Sequence, residues 1–578
     1  ATNKGIANCP HSKAVDEVVI ENAFLEMFKL LAENFDDVLE SVLSSVEETL
    51  SKDDSTEKLN HEEEKAMEAL FQAVNVICGK IQIVSNLFWD FPTNFDWYAN
   101  IPILGNFSLA IILLVGTGIY FTFRLRFIQV RKFRHGLHVL MRQKSSGTGI
   151  SSLASFLLST AMRVGPGNIL GVTGAISTGG PGALLWMWIS AFFGMSTAFV
   201  EATLSQIFKE RKDDEYVGGL PYYGRRLLKN AAWAGAALSV LYIIYAFLCF
   251  PAQGFNTISA VGAIAGVFTG TVIETNSALY WISFAVLIAA TAVISFGGIK
   301  KVTKVTDLLV PVMAVIYILT VILLIVFNIP RIPWFFGAVF SEAFRPEAVF
   351  GGAFGIALSQ GIKRGLMSNE AGQGTITMPA AAADAKHPCD QGCVQALGVF
   401  LDTIVICTLT GFVVVMGRVW LTEDSAAWFE LGKLDRFLAS CGALTGNGTI
   451  YHLVTMLVSV CFGLFAFTCL VGFMSFTEMC ANRISTRPAF INTIRVLCLV
   501  VISFGVITNI AGMDLSALWD LSDFANILMV YCNLPLQYIG FKYVLRAWEH
   551  FEKNDGTAFT SKIAGIDVTV WDERAKMK

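Results

Sequence analysis

The chain has 578 residues, of which 54% are apolar and only 15% are charged, and its mean hydropathy is +0.58. Soluble chains carry about 25% charged residues, so this composition excludes an ordinary soluble protein and indicates that lipid surrounds most of the chain. The net charge of −4 and the pI near 6.0 give no support for nucleic-acid binding.

Residues 1–90 differ from the rest, because acidic residues are dense there and apolar residues recur at helical spacing, as in Phe24 and Phe28. This pattern predicts amphipathic helices with a polar break near 51–64 and an interfacial helix at 70–89. Amphipathic helices that cannot build a large core of their own lie on a partner or on the bilayer surface. We therefore expect an added N-terminal extension that binds a protein partner or the lipid bilayer.

Apolar runs follow at regular intervals from about residue 101, and each crossing of a bilayer needs about 20 apolar residues. The predicted spans are 103–123, 152–178, 183–208, 234–267, 279–297, 307–328, 349–362, 393–417, 451–478, 493–511 and 523–545. The seventh is too short to cross unaided. The predicted fold class is all-α, a polytopic membrane protein with about 11 transmembrane helices.

Positive charges concentrate in alternate loops. The loops after the first and third spans hold Arg124, Arg126, Arg131, Lys132, Arg134, Arg142, Lys144, Lys209, Arg211, Lys212, Arg225, Arg226 and Lys229, and the loop assigned after the seventh span includes Lys363, Arg364 and Lys386. Short loops rich in Lys and Arg stay in the cytoplasm. The N terminus is therefore predicted to be outside or lumenal and the C terminus cytoplasmic.

The second predicted span contains the run Val164-Gly165-Pro166-Gly167-Asn168-Ile169 at membrane depth. Two glycines and a proline there should break the helix, and broken backbone at that depth is tolerated where it lines a cavity. Half-helix ends then offer donors to an anion and carbonyls to a cation, which suits a zwitterionic solute and a small cation. A simple proline kink with close helix packing explains this segment alone equally well.

A second interruption is predicted in the seventh span, at Gly351-Gly352-Ala353-Phe354-Gly355. Counted from the second span, the two interruptions fall in the first member of each five-span half. Paired interruptions at matching places indicate an inverted-repeat transporter with a binding site at the repeat interface. Metalloprotease, Walker, nucleophile-elbow and nucleotide-binding motifs are absent from any suitable sequence context, so no enzymatic activity is predicted.

Five further motifs lie in order along the membrane part. They are GGPGALLWMWISAFFGMSTAFVEATL at 179–204, GGLPYY at 218–223, GGIKKVTKVTDLLVPVMAVIY at 297–317, RGLMSNEAGQGT at 364–375 and a pattern of HP, QG, LGVFLDT and ICT at 387–410. On these motifs the chain, over roughly 100–545, resembles the alanine-or-glycine:cation symporter family. The resemblance implies a leucine-transporter-like five-plus-five inverted repeat preceded by one extra helix. The expected organisation is an extension at 1–90, a first helix and basic loop at 91–148, repeat halves at 149–330 and 331–548, and a tail at 549–578.

The resemblance also implies substrate-binding positions. The family motif of the second span is matched by Gly165, Gly167, Asn168 and Ile169, and that of the fourth span by Gln253 and Asn256. Asn168 can donate and accept, so it suits a carboxylate or an ammonium group. Gln253 and Asn256 form a polar notch in an apolar helix, although interhelical hydrogen bonding accounts for such a notch as well.

The seventh span adds Phe354 and Leu358, one helical turn apart, and Gln360 as a further binding candidate. The two apolar residues could wall a methyl-sized pocket that limits the substrate to alanine or glycine. Core packing is an equally good account of either residue alone.

The ninth span reads Phe465-Ala466-Phe467-Thr468-Cys469, where the family has neighbouring hydroxyl residues that resemble cation ligands opposite the broken helix. Sodium, the coupling ion that the resemblance implies, binds oxygen ligands. We expect Thr468 and the backbone of Val164 to supply them. Cys469 and Pro166 depart from the family pattern, and a thiol is a poor ligand for a hard ion.

The function predicted from these observations is symport of alanine or glycine with sodium. The alternative is a transporter-derived scaffold or complex subunit that keeps the fold and has lost coupled transport. The N-terminal extension and Cys469 favour this alternative. Four membrane acids, Glu201, Asp307, Asp402 and Glu478, are predicted to lie near span ends in structural pairs. Glu370 is predicted to organise a loop by pairing with Arg364.

Overall fold

The computed structural model describes residues 56–101, 104–142, 148–212, 215–344, 353–417, 425–446, 448–513, 516–553 and 556–576. The chain divides into two compact units, Ala1–Lys80 and Ile81–Lys578. The amphipathic helices predicted before residue 56 and the predicted interruption at Gly351 and Gly352 lie outside the described residues.

Within its described residues, the first half of the chain is mainly helical and contains one antiparallel hairpin, in which Arg211 pairs with Tyr216. Its elements are α1 Thr56–Asp90, α2 Asp96–Ala99, α3 Leu109–Arg124, α4 Ile128–Arg131, α5 Phe133–Arg142, α6 Ser152–Arg163, α7 Val172–Gly179, α8 Ala183–Ile207, β1 Glu210–Lys212, β2 Glu215–Val217, α9 Leu220–Leu227, α10 Ala232–Thr269, α11 Ala278–Ser295 and α12 Ile299–Phe327. Short 3₁₀ turns lie at Leu104–Asn106 and Ile329–Arg331, and a π-helical turn at Gly167–Gly171 separates α6 from α7.

In the described residues of the second half all regular elements are helices, and Ala383 forms one isolated parallel bridge with Ile150 of the first half. Its elements are α13 Ile332–Ala343, α14 Ala353–Asn369, α15 Thr377–Ala382, α16 Pro388–Val399, α17 Thr408–Gly417, α18 Ser425–Glu430, α19 Lys433–Thr445, α20 Gly448–Ile484, α21 Pro488–Ile510, α22 Ser516–Lys553, α23 Ser561–Ala564 and α24 Thr569–Lys576. A π-helical segment, Phe400–Cys407, joins α16 to α17 in one continuous helix.

Seven helices among the described residues are long and apolar enough to cross a membrane. They are α8, α10, α11, Lys301–Phe327 of α12, Pro388–Gly417, α20 and α21. The predicted all-helical membrane fold is confirmed, and the count of eleven spans stays a prediction. Helices that cross lipid satisfy their own backbone groups, which is why an apolar chain of this kind folds as helices.

The broken helix α6–α7 lies where two large clusters of buried apolar residues meet. Met162 belongs to one cluster, and Ala161, Val164 and Ile169 belong to the other. Around it, α10 packs against α20, α21 and α22, while α8 packs against α14 and α16. The break is therefore enclosed by protein, as backbone without helical hydrogen bonds must be at membrane depth.

Three details differ from the sequence-based expectations. Helix α1 begins at Thr56, so most of the predicted polar break at 51–64 is helical. Lys363 and Arg364 lie inside α14 and not in a loop. Gly355, predicted to be part of the interruption in the seventh span, is helical. Asn106 packs so closely against it that there is no room for a Cβ at this position. Glycine in a membrane helix also allows neighbouring segments to approach closely, so it does not by itself indicate a break.

Candidate functional site

The first helix break follows directly from the sequence at 163–167. Pro166 has no N–H to donate, and Gly165 N donates both to Arg163 O (2.9 Å) and to Asn168 Oδ1 (2.8 Å). The helix resumes with Leu170 N donating to Pro166 O at 2.8 Å. The amide of Asn168 thus replaces part of the helical hydrogen bonding lost at the break.

The second helix break lies at 370–376, between α14 and α15. Glu370 (φ 56°), Gly372 (φ 94°) and Gly374 (φ 82°) all have left-handed backbone conformations there. A left-handed conformation is easy for glycine and costly for other residues. The side chain of Asn369 stabilises the turn by accepting from Ala371 N at 3.0 Å.

A cavity of about 60 Å³ lies between the two breaks. The first break and the residue before it contribute Gly165, Gly167 and Arg163, the end of α14 contributes Ser368, and the second break contributes Glu370. Helices α10, α20 and α22 complete the wall with Gln253, Cys469, Trp519 and Asn526, among others. The structure therefore brings together three of the predicted substrate positions, Gly165, Gly167 and Gln253.

Arg163 is the buried cation of this cavity. Its Nε donates to Asn369 O (3.0 Å), and its Nη1 donates to Gln395 O (3.2 Å) and to Gln395 Oε1 (3.1 Å). Gly398 makes room for the guanidinium, since a Cβ at that position would overlap Nη1. Nη2 has no partner among the described residues. A buried arginine with one free donor is an anion-binding group.

Two acceptors face the same cavity. Gln253 Oε1 is buried and lacks a hydrogen-bond partner in the part of the chain that the structure describes. Glu370 is buried, and one of its carboxylate oxygens accepts from Thr375 Oγ1 at 2.7 Å. A buried polar atom without a partner costs free energy unless a ligand or water satisfies it.

Asn168 lies behind the break and is not part of the cavity wall. Its Nδ2 donates to Asp402 Oδ1 (2.6 Å) and to Ser368 Oγ (3.0 Å), and it lies 3.3 Å from Cys407 Sγ. Ser368 and Thr403 also donate to Asp402, at 2.7 and 2.8 Å. This buried network ties the first break to α14 and to the helix 388–417. Contact between Asn168 and a substrate stays a prediction.

Asp402 lies in the middle of that helix and not near a span end, and Glu201 is fully buried on α8. Glu478, on α20, forms an ion pair with Arg495 at 2.6 Å.

Four further predicted substrate positions, Ile169, Asn256, Leu358 and Gln360, lie outside the cavity wall. Leu358 is buried in a cluster with Trp89 and Leu114, Ile169 is buried in another, and Asn256 is buried with an unpartnered Nδ2 among the described atoms. Gln360 is half-buried on α14. The side chain of Phe354 lies outside the described residues.

The predicted cation position is arranged differently from the expectation. Cys469, and not Thr468, faces the cavity, and its thiol lies 3.2 Å from Ala161 O and 3.4 Å from Met162 O. Thr468 Oγ1 donates to Leu464 O, 2.9 Å away in its own helix. Val164 is fully buried at the end of α6.

Arg364 lines the cavity and pairs with Asp523 on α22 at 3.0 Å, instead of pairing with Glu370 as predicted. Lys363 adds a second contact to Asp523 at 3.7 Å and lies over the ring of Trp89 at 4.9 Å. This ion pair joins α14 to α22 beside the cavity.

Sequence reasoning missed Arg163 and Asp402 as site residues. The available signal was an ionisable residue inside an apolar span, which is a candidate functional residue in any membrane protein. Arg163 directly precedes the glycine-proline run, so that signal was strong.

Residues 96–563 match the model of the sodium:alanine symporter family. The chain is 36% identical over 440 residues to the "Amino-acid carrier protein AlsT" of Bacillus subtilis, covering 76% of this chain and 88% of that protein. It is 35% identical over 448 residues to the "Probable sodium/glutamine symporter GlnT" of the same organism, covering 77% and 88%. It is 32% identical over 441 residues to the "Sodium/alanine symporter AgcS" of Methanococcus maripaludis, covering 73% and 90%.

Among solved structures, MhsT in complex with L-phenylalanine is similar, at 15% identity and a TM-score of 0.49, over 75% of this chain and 95% of that chain.

Proposed function

Since this chain belongs to the sodium:alanine symporter family, we propose that it carries alanine or glycine together with sodium. Membership makes it an integral, multi-pass, cation-coupled amino-acid transporter and not an enzyme. The finer proposal rests on the cavity between the helix breaks, where a buried arginine and a half-buried glutamine each hold a buried polar atom without a partner among the described residues.

A zwitterionic amino acid satisfies both atoms. Its carboxylate can accept from Arg163 Nη2, and its ammonium group can donate to Gln253 Oε1, with the Glu370 carboxylate close by on the same wall. Half-helix ends at the breaks reinforce this polarity. The same cavity would leave both groups unsatisfied if it held an apolar solute.

Cavity size favours a small side chain. A water molecule needs roughly 10–15 Å³ of such space, so a cavity of about 60 Å³ accommodates a solute of only a few atoms. Alanine and glycine fit this size better than the glutamine in the printed name of one relative.

Sodium would be held near the first break. The hydroxyl of Thr468 uses its single proton on Leu464 O, so its lone pairs remain for a cation. The backbone carbonyl of Val164 is the second oxygen that we propose. Cys469 supplies sulfur at this place, and sulfur is a weak ligand for sodium. Thr468 and Val164 can therefore bind sodium through oxygen. Because Cys469 replaces a hydroxyl residue of the family pattern, the site has one oxygen ligand fewer.

The site is tested by substitution of Gln253. Gln253→Leu keeps the approximate volume but removes the acceptor for the ammonium group, so alanine affinity should fall about 10- to 100-fold, or roughly 1.4–2.8 kcal/mol. The measurement is equilibrium binding of labelled alanine to purified protein at saturating sodium.

Gln360→Leu is the matched control for that experiment, because Gln360 lies outside the cavity wall and its replacement should leave alanine affinity unchanged. Equal affinities for the parent protein and Gln253→Leu would show that the substrate binds elsewhere.

A further inference from the structure

Glu201 is a wholly buried carboxyl group that is not part of the cavity wall. It lies on α8, in contact with the second helix break and with α22. One of its oxygens, Oε1, accepts from Gly374 N (2.9 Å), from Gln537 Nε2 (2.9 Å) and from Asn533 Nδ2. The other oxygen, Oε2, is buried and lacks a partner in the described part of the chain.

These bonds fix the position of the second break. Asn533 Nδ2 also donates to Gly372 O at 3.0 Å, and Tyr223 donates its hydroxyl proton to Asn533 Oδ1. Glu201 and Asn533 thus hold both left-handed glycines, Gly372 and Gly374, against α22. Ser368 and Glu370, a few residues earlier in the same segment, line the cavity.

The two oxygens of Glu201 are unequal in a way that indicates a bound proton. An ionised carboxylate spreads its charge over both oxygens and needs donors on both when it is buried. Oε1 accepts three hydrogen bonds, which suits the carbonyl oxygen of an acid. Oε2 accepts no hydrogen bond from a described residue, although the backbone N–H of Gly372 also acts on the carboxyl group. A neutral carboxylic acid with its proton on Oε2 leaves one uncharged O–H group unsatisfied, whereas the ionised form leaves a buried negative charge unsatisfied on that oxygen, which costs more free energy.

The charged and titratable neighbours of Glu201 supply no hydrogen bond that would favour its ionised form. Arg163 acts electrostatically on Glu201, but its Nε and Nη1 are committed to Asn369 and Gln395. Tyr223 is the other titratable group that acts on Glu201, and its proton is committed to Asn533. Neither side chain donates to Oε2.

We propose that Glu201 binds a proton on Oε2 in this conformation, and that this proton holds the second helix break in place during the transport cycle. An O–H bond forms when Oε2 takes a proton from the aqueous solvent. The same bond breaks, and the proton returns to water, when residues 370–376 move and the carboxyl group becomes hydrated. Glu201 acts through Gly372 and Gly374 and does not touch the substrate, so it is a positioning residue. This inference goes beyond the proposed alanine and sodium sites, and its first test needs no substrate.

The first test is infrared spectroscopy of the purified protein in lipid at neutral pH. Subtracting the Glu201→Gln spectrum from the parent spectrum should reveal the carbonyl stretch of a protonated carboxylic acid. Glu478→Gln is the matched control, since Glu478 contacts Arg495 in an ion pair and its replacement should remove no such carbonyl stretch. A parent-minus-Glu201→Gln spectrum that shows a carboxylate band instead would overturn the proposal.

The second test is the pH dependence of labelled-alanine uptake. At high pH, loss of a required proton should lower the parent's uptake rate by up to about tenfold per pH unit, and this falling part of the profile is the alkaline limb. The uptake rate of Glu201→Gln should vary by no more than about twofold over the same pH range. Alanine binding by Glu201→Gln should match that of the parent. An alkaline limb that persists unchanged in Glu201→Gln would contradict the proposal.

Gln537→Leu covers the case in which Glu201→Gln does not fold. It removes one donor from Oε1 and leaves the carboxyl in place, so the infrared band should remain and the alkaline limb should move to higher pH. An unmoved limb would count against Glu201. A parent protein that shows the infrared band but neither binds nor carries alanine would refute the proposed substrate and leave the proton site standing.

Discussion

At the scale of single residues, the shape of the cavity depends on two glycines of the first break, Gly165 and Gly167, as well as on the side chains that line it. A Cβ on Gly167 would meet open space, while a Cβ on Gly165 would lie 2.8 Å from Cys469 Sγ. Gly167 therefore sets the free space of the cavity, and Gly165 allows α20 to approach the break. The two glycines of one short motif have different physical roles.

Gly167→Ala should shift selectivity towards glycine. The added methyl group points into space that the methyl group of alanine would use, so alanine affinity should fall about tenfold, or roughly 1.4 kcal/mol, and glycine affinity should change little. Competition binding with both amino acids measures the ratio. Gly116→Ala is the control, because a Cβ there also meets open space, on α3 and away from the cavity. Equal losses for alanine and glycine would refute this role of Gly167.

Cys469→Ser should tighten sodium binding. The substitution puts a hydroxyl oxygen where the thiol faces the cavity, and oxygen is the preferred ligand of a hard cation. We expect the sodium concentration for half-maximal alanine binding to fall about three- to tenfold, which corresponds to roughly 1 kcal/mol. Cys461→Ser, on the same helix but outside the cavity wall, should leave sodium dependence unchanged. Identical sodium curves for Cys469→Ser and the parent would place the cation elsewhere.

At the scale of elements, the C-terminal segment is docked on the rest of the molecule. Trp571 of α24 donates to Gln206 O at 2.7 Å, and Arg574 pairs with Asp384. Lys209 lies between the rings of Tyr216 and Trp571. These contacts tie the tail to the end of α8 and to the linker before α16.

Two histidines connect the same tail to the start of α16. His387 Nδ1 accepts from Cys389 N at 3.1 Å, so its Nε2 carries the proton and donates to His550 Nδ1 at 3.1 Å. His550 Nε2 then donates to Thr557 Oγ1 at 2.8 Å. Both rings must be neutral for this chain of hydrogen bonds to exist.

Acidification should loosen the tail. Desolvation of the ring, together with His550 and His135, lowers the pKa of His387 from its usual 6.5 to about 3. The undocked state therefore binds more protons than the docked state. The contribution of neutral His387 to docking is fully present above about pH 6.5 and is lost progressively as the pH falls towards about 3. Spin labels at Lys386→Cys and Lys562→Cys should show a broader distance distribution at about pH 5.5 than at about pH 7.5.

His138→Gln is the control for this experiment, because His138 is exposed on α5 and takes no part in the chain of hydrogen bonds. His550→Phe cannot form the chain at either pH, so its distance distribution should be broad at both. A narrow distribution for the parent at about pH 5.5 would contradict the prediction.

The two helix breaks show what a sequence can and cannot predict. The first break was predictable because Gly165, Pro166 and Gly167 are adjacent, and the cause is local. The break at 370–376 was not predicted, because Glu370 adopts a left-handed conformation that its identity alone does not indicate. Of the interruption predicted at 351–355, Gly351 and Gly352 lie outside the described residues, while Gly355 is helical and packs closely against Asn106, about 250 residues away. The contacts of Arg163 with Asn369 and Gln395 also depend on long-range packing.

At the scale of the whole molecule, the boundary between the two compact units lies within the predicted N-terminal extension. The first compact unit is Ala1–Lys80, whereas Trp89 belongs to the second unit, in which it donates to Asp523 O at 3.0 Å. Deletion of residues 1–80 should therefore leave alanine affinity unchanged. Deletion of residues 1–90 also removes Trp89 from beside the Arg364–Asp523 pair and should lower thermal stability by several degrees. Loss of alanine binding in a folded 1–80 deletion would contradict this separation.

The central claim is coupled transport through the cavity between the breaks, and it is tested most directly by uptake of labelled alanine into proteoliposomes that contain the purified protein. We expect an inward sodium gradient to drive accumulation, potassium to replace sodium poorly, and Gln253→Leu to reduce uptake while Gln360→Leu does not. Absence of sodium-dependent uptake by the folded parent protein would contradict the account and favour a scaffold that has kept the fold and lost transport.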